Sequence, residues 1–202
     1  IKTPLTSIIN YVDLIKKEGI SEEKVREYVE VLDRQSARLK KLIEDLLEAS
    51  KASTGNVEMH MEACDAAVMI SQVVGEYQDK LQAQDIEIVV NEAKNPANIM
   101  ADGRHLWRVF DNIMSNICKY TQDHTRVYVN VEDAGDQVRM IFKNISKYPL
   151  NISSDELMER FVRGDASRNT EGHGLGLSIA SSLTALMDGQ LTIDIDGDLF
   201  KI

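Results

Sequence analysis

Cysteine is scarce. Cys64 and Cys118 are the only two in 202 residues, and neither belongs to a CxxC or a Cys/His metal spacing. Two reduced thiols are the plain reading, as in a cytoplasmic protein. Long apolar runs are missing as well: none approaches the roughly 18 residues of a membrane span. The opening residues do not read as a secretory signal, because Lys2 and Pro4 stand there with no apolar stretch behind them. Basic residues are outnumbered, with 23 Lys plus Arg against 33 Asp plus Glu, a net charge of −10. The isoelectric point near 4.9 argues against general phosphate-backbone binding, so no nucleic acid partner is expected. Repeats and low-complexity tracts are absent too. What is present is 43% apolar residues, enough for a core. The expectation is a soluble domain or fragment of one or two domains, making no membrane contact of its own, whatever longer protein it was cut from.

The first fifty residues carry a helical period. Leu5, Ile8, Val12 and Ile15 step by threes and fours, and so do Val25, Tyr28, Leu32, Gln35, Leu39, Leu42 and Leu46. Between the two runs Gly19 suits a helix C-cap and Ser21 an N-cap, with Glu22 and Glu23 at the positive end of the next helix. An antiparallel helical hairpin follows. Ile9, Ile43 and Leu47 widen the apolar stripe beyond what one hairpin covers, so a homodimeric four-helix bundle through residues 1–52 is expected. Gln35, the polar seam residue, either helps fix register or turns to solvent. Ser50 to Asn56 is small and polar and reads as a linker.

Beyond it the pattern is mixed. Strands are expected at Val57–Met61, Ile86–Val90, Leu191–Ile195 and Leu199–Ile202, with a hairpin of Arg126–Asp133 and Gln137–Asn144. Helices are expected from Asp65 to about Gln84, over Gly103–Tyr120 and over Leu175–Met187. Residues 145–172 read as irregular, with a helical turn around Leu157–Phe161. The fold class is therefore an α hairpin followed by an α+β two-layer sandwich, with helices on a mixed, mainly antiparallel sheet.

Two stretches carry chemistry. In Gly172-His173-Gly174-Leu175-Gly176-Leu177, glycines alternate just before a helix. They free the backbone and remove Cβ atoms, so a helix N-terminus can face an anion; a tight turn with no ligand is the alternative. The stretch is neither a Rossmann fingerprint nor a P-loop. In the helix Asn112-Ile113-Met114-Ser115-Asn116-Ile117-Cys118-Lys119-Tyr120, the two asparagines are i and i+4 and share a face. An amide oxygen is a hard ligand for Mg²⁺, Lys119 can meet phosphate, and Tyr120 can stack on a base. An ordinary polar solvent face is the alternative here.

Taken in order, these motifs resemble the bacterial sensor histidine kinases. Ile1-Lys2-Thr3-Pro4-Leu5-Thr6 is similar to the end of the H-box, Asn112 to Tyr120 to the N-box, Glu159-Arg160-Phe161-Val162-Arg163-Gly164 to the F-box, and Gly172 to Leu177 to the G2-box. The resemblance covers essentially the whole chain. It implies a dimerisation and phosphotransfer hairpin over 1–52 and an ATP-binding domain of the gyrase/Hsp90/MutL-like superfamily over 53–202, with an ATP lid at about 145–171 that stays mobile until nucleotide orders it. Carried across, Asn116 is the Mg²⁺ ligand with Asn112 nearby. Lys119 contacts phosphate and Tyr120 borders the nucleotide. Phe161 seats the lid, Arg163 reaches a phosphate, and Gly172, Gly174, Leu175 and Gly176 wrap the triphosphate. Thr3 sits where the family positions a water for dephosphorylating the response regulator. The implied cofactors are ATP and Mg²⁺, and the implied partners are a second copy and a receiver domain. The implied location is the cytoplasmic side of a parent anchored in the bacterial inner membrane.

Two departures matter. Where the family has Asp-x-Gly in its G1-box, this chain has Asn144-Ile145-Ser146. The Asn144 amide can still accept from the adenine amine, without charge assistance and with a loss of about 1 kcal/mol. Ser146 restricts the backbone if a positive φ is needed. By the same resemblance, the phosphoacceptor histidine falls two residues before Ile1, and His60, His105, His124 and His173 cannot replace it. The expected function is phosphoryl transfer from Mg-ATP to that histidine and on to a regulator aspartate. The alternative is a pseudokinase or phosphatase-biased module; a chaperone or anti-sigma ATPase is disfavoured by the hairpin.

Overall fold

A computed structural model describes residues 2–17, 19–91, 97–159 and 174–202. In chain order the elements are α1 (Lys2–Ile15), α2 (Glu22–Ser53), β1 (Glu62–Asp65), α3 (Ala66–Gln82), β2 (Glu87–Asn91), β3 (Asn98–Ala101), α4 (Gly103–Tyr120), β4 (Arg126–Asp133), β5 (Val138–Ile145), α5 (Ser154–Met158), α6 (Gly176–Leu186), β6 (Asp194–Asp196) and β7 (Leu199–Lys201). They form two compact units, Ile1–Ser50 and Lys51–Ile202.

In the first unit the break between helices is chemical. Gly19 has φ +81°, a left-handed value that a Cβ disfavours. Ser21 then opens α2, with its Oγ 3.4 Å from the Lys24 N–H, and Glu22 and Glu23 occupy the first turn. Tyr11 of α1 meets Tyr28 of α2 edge-on, ring centroids 5.3 Å apart. Gln35 is half-buried on the same stripe as Leu32 and Leu39. Leu5, Ile9, Val29, Ile43 and Leu47 stay 44–57% exposed, a second apolar stripe that the single hairpin leaves uncovered. The expected linker begins late: α2 runs through Ser53, and Ala49 and Ala52 are buried. Alanine's helix propensity and burial outweigh the serines there.

In the second unit the alternating Val57–Met61 is not a strand. The His60 N–H donates to Asp102 Oδ2 at 2.9 Å, where a strand would bond a neighbouring strand. The strand is β1, paired antiparallel with β3 from Glu62↔Ala101 to Asp65↔Asn98. Asp65 leaves β1 to cap α3, accepting from the N–H groups of Ala67 at 2.9 Å and Val68 at 3.3 Å.

The main sheet has the order β2-β4-β5-β7-β6. β2 and β4 are parallel and the other neighbours antiparallel. The expected β6 is shorter at its start, because Leu191–Ile193 lie outside the ladder. Along β4, Val127, Val129 and Val131 are buried while Arg126 and Tyr128 face out. Against this face pack Ile70 and Val73 of α3, Phe110, Ile113, Met114 and Ile117 of α4, and Ile179 and Leu183 of α6. Each such side chain contributes about 1.5–3 kcal/mol by burial. Phe110 lies 6.1 Å from Phe142 of β5, centroid to centroid. Because strand side chains alternate, Asn144 shares the inward face of Phe142. No helix of the described residues is long and apolar enough to cross a membrane.

Candidate functional site

Helix α4 carries the site, and its start is firmly built. Asp102 is its N-cap: Oδ1 accepts from the His105 N–H at 3.0 Å, and Oδ2 accepts from the His60 N–H at 2.9 Å. The His105 ring Nδ1 stands 3.0 Å from the same Oδ2. Burial alone would raise this carboxyl. The two backbone N–H donors and the His105 ring outweigh it and hold Asp102 well below the usual carboxylate range. The sequence carried a capping signal here, an aspartate just before Gly103, that the motif reading passed over.

Nearly three turns on, Asn112 is only 9% exposed, and its Nδ2 has no hydrogen-bond partner among the described residues. A buried amide donor left unpaired is unfavourable, so this one needs a partner beyond the described residues. Asn112 leans on the start of α6. A Cβ at Gly176 would lie 3.3 Å from Asn112 Oδ1. Glycine therefore lets the two helices approach at this point. Gly174 has φ +67° and turns the chain into α6. Among the described residues no side chain caps α6; its cap residue is Leu175, whose side chain is itself buried in the core. The first N–H groups of α6 thus form an uncapped, electropositive helix end beside the Asn112 amide.

The far end of α4 is tied to β5. Gln122 N–H donates to Ile145 O at 2.8 Å, Lys147 N–H to Tyr120 O at 2.8 Å, and Thr121 bridges to Ser146. Ile145 to Lys147, the first residues of the expected lid, are thereby held. Ser146 keeps an ordinary backbone conformation, so serine in place of glycine imposes no strain. Its Oγ donates to Tyr148 O at 2.8 Å and accepts from the Tyr148 N–H at 3.2 Å. Asn144 is 4% exposed and Thr121 fully buried, and Thr121 Oγ1 has no partner among the described residues. The helical turn expected at Leu157–Phe161 comes earlier, as α5, because Ser153 and Glu156 form a capping box.

The remaining predicted residues divide simply. Asn116, Lys119 and Tyr120 are partly exposed on the last two turns of α4, and the Asn116 amide is not sunk in the core. Thr3 is exposed on α1, in the other unit. Phe161, Arg163 and Gly172 lie outside the described residues. Both cysteines are free thiols. Burial pushes Cys118 up to about 11, against the lowering influence of Lys80 and Lys119. Among the described residues no three His, Cys, Asp or Glu side chains form a metal site. An Asn116 amide oxygen, completed by phosphate and water oxygens, suits Mg²⁺, which rarely uses an all-protein cage.

The fold and the site define a class: a helical hairpin followed in sequence by an α+β sandwich on a mixed sheet, in which a glycine-started helix lies beside the buried Asn112 amide. Comparison with known proteins agrees. Residues 101–199 match the family described as histidine kinase-, DNA gyrase B-, and HSP90-like ATPase, and residues 1–55 match the His Kinase A (phospho-acceptor) domain. The sensor protein VanS of Enterococcus faecium is 29% identical over 194 residues, 95% of this chain and 50% of that protein. Full-length ShkA in complex with AMPPNP superposes with a TM-score of 0.75 at 22% identity, covering 98% of this chain and 42% of that one. The histidine kinase ThkA, in complex with the response regulator protein TrrA, gives 0.71 at 20%, covering 99% and 57%. The chain belongs to the sensor histidine kinase family. It spans about half the length of the curated relatives it matches.

Proposed function

We propose that this chain is the kinase core of a two-component sensor. Residues 53–202 bind Mg-ATP, and residues 1–52 form the dimerisation and phosphotransfer hairpin. The γ-phosphoryl group passes to the histidine that the resemblance puts two residues before Ile1, then to an aspartate of a response-regulator receiver domain. One observation carries the reading: the buried Asn112 amide, unpartnered among the described residues, beside the glycine start of uncapped α6. Family matches at both halves support it, as does the AMPPNP complex of ShkA.

Within this reading the chain positions rather than reacts. The α6 N-terminus and the backbone of Gly172, Gly174, Leu175 and Gly176 receive the phosphates. Lys119 adds positive charge, Tyr120 borders the nucleotide, and Asn144 meets the base. Phe161 seats the lid and Arg163 reaches a phosphate. Magnesium, held by the Asn116 oxygen with Asn112 alongside, supplies charge neutralisation on the transferring group. Thr3 orients the water that hydrolyses the aspartyl phosphate of the response regulator. The exposed stripe of Leu5, Ile9, Val29, Ile43 and Leu47 seats a second copy. The ThkA–TrrA complex supports a receiver domain as the partner. The working location is the cytoplasmic face of a bacterial inner membrane, in a parent anchored there.

Titration with Mg-ATP tests the site. Binding at millimolar or tighter affinity is expected to fall with Asn116→Ala. A chain extended upstream through the H-box is expected to gain acid-labile phosphate from ATP; labelling that survives changing the upstream histidine to Gln refutes the assigned acceptor. Asn144 in place of the family's aspartate favours a second reading, a pseudokinase or phosphatase-biased module. That reading predicts no ATP binding at low salt and excess Mg²⁺, with phosphatase activity that depends on Thr3.

A further inference from the structure

The corner where α4 meets β5 buries two polar side chains that carry no charge and can each donate or accept. Asn144 is 4% exposed on the inward face of β5, and among the described residues its Nδ2 reaches only the adjacent Ile145 O, at a loose 3.4 Å. Thr121 is fully buried, with Oγ1 unpartnered among the described residues. The Thr121–Ser146 bridge and the 2.8 Å bond from Gln122 N–H to Ile145 O bring them to the same corner. The third polar side chain there, Ser146, is already committed to Tyr148.

We infer that this corner makes the base subsite tolerant: it takes a 6-oxopurine nucleoside triphosphate as well as a 6-aminopurine one, with Asn144 as the specificity-determining residue. The inference rests on the nucleotide-site reading above and specifies its substrate class. A carboxylate at 144 would only accept hydrogen bonds. It would suit a 6-amino group and would face the oxygen of a 6-oxo group acceptor to acceptor. A carboxamide carries both edges. In one orientation Oδ1 accepts from the 6-amino group while Nδ2 donates to N1. Turned over about its last, roughly two-fold torsion, Nδ2 donates to O6 and Oδ1 accepts from N1–H. The Nδ2–Ile145 contact is too long to oppose that turn strongly. The Thr121 hydroxyl rotates to follow either base.

Inosine triphosphate is the probe, because hypoxanthine differs from adenine only at position 6 and the N1 proton. Mg-ATP and Mg-ITP are titrated into the chain by calorimetry, in wild type and in Asn144→Asp. Wild type is expected to bind ITP within about tenfold of ATP, and Asn144→Asp to widen the gap beyond about a hundredfold. A wild-type gap above tenfold overturns the inference and leaves the nucleotide-site reading standing. Binding of neither nucleotide overturns the reading itself. A folded Asn144→Asp, verified by thermal melt, that fails to widen the gap removes Asn144 as the determinant. If that variant does not fold, the wild-type ratio decides alone.

Discussion

Replacing Gly176 with alanine separates the two things a glycine can do at a helix start. Gly176 lies outside the left-handed region, so alanine fits its backbone. Only the methyl group is new. It would stand 3.3 Å from Asn112 Oδ1, 3.7 Å from Cγ and 3.8 Å from Cβ. The Asn112 amide must then retreat by a few tenths of an ångström within close-packed surroundings, at about 1–3 kcal/mol. Alanine's helix propensity returns up to about 1 kcal/mol. The net loss is about 1 kcal/mol, which lowers Tm by about 2–4 °C in a unit of this size. Nucleotide binding should suffer more. The methyl displaces the buried amide and stands beside the uncapped helix end, and a misplacement of this kind lowers affinity by about tenfold or more. Gly75→Ala is the control. Its Cβ would meet nothing within 4 Å, in the middle of α3, so it should stabilise by about 0.5–1 kcal/mol and leave binding alone. Differential scanning fluorimetry and Mg-ATP titration on the same samples measure both quantities. Wild-type affinity in a folded Gly176→Ala protein would refute the claim that Asn112 and this glycine form one site.

Further outcomes follow from the same geometry. Asp102 titrates below its unfolded value because donors from His60 and His105 outweigh its burial. Its contribution is therefore complete above about pH 4 and is lost as pH falls through the folded-state value. Urea unfolding between pH 2 and 5 should show a flatter acid limb in Asp102→Asn, and an unchanged limb would contradict the assignment. Ile43→Lys with Leu47→Lys places charge on residues 45% and 57% exposed. Sedimentation should then report a monomer of unchanged helicity by circular dichroism; a persistent dimer would move the interface elsewhere. Cys118, pushed up to about 11 by burial, holds little thiolate at neutral pH. Iodoacetamide should label it slowly in the folded chain and rapidly in urea, and fast labelling of the native state would be the contrary result.

The helices were legible wherever one periodic stripe coincided with end signals. For α4, apolar positions recur from Leu106 to Ile117, and the expected and observed spans agree even though the Asp102 cap was passed over. The short strands were not legible. Val57–Met61 alternates well, but alternation cannot say whether a partner strand exists, and here the backbone bonds to a side chain, Asp102. The real strand, Glu-Ala-Cys-Asp, has weak strand propensity. It exists because β3 lies alongside, 39 residues away at the Glu62↔Ala101 pair. β3 is itself only four residues long and was not anticipated. The tail of α2 failed in the opposite sense: composition suggested a linker, while Ala49 and Ala52 found burial.

At the site, spacing alone put Asn112 and Asn116 on one helix face, and an alternating glycine run placed the start of α6. Spacing could not rank the two amides. Burial does: Asn112 is enclosed with its donor unpaired among the described residues, whereas Asn116 keeps partial exposure. The two therefore have different work to do. An enclosed amide is held by its neighbours and can hold something else in turn; a partly exposed one keeps room for a hydrated ion. Thr121 was missed because it stands one residue past the recognisable motif, and its hydroxyl gains meaning only when β5 brings Ser146 across to it. Asn144 was seen as a weakened aspartate. Its burial on the inward face, with a loosely engaged amide, turns the question from how tightly the corner holds a base to which base edges it can match.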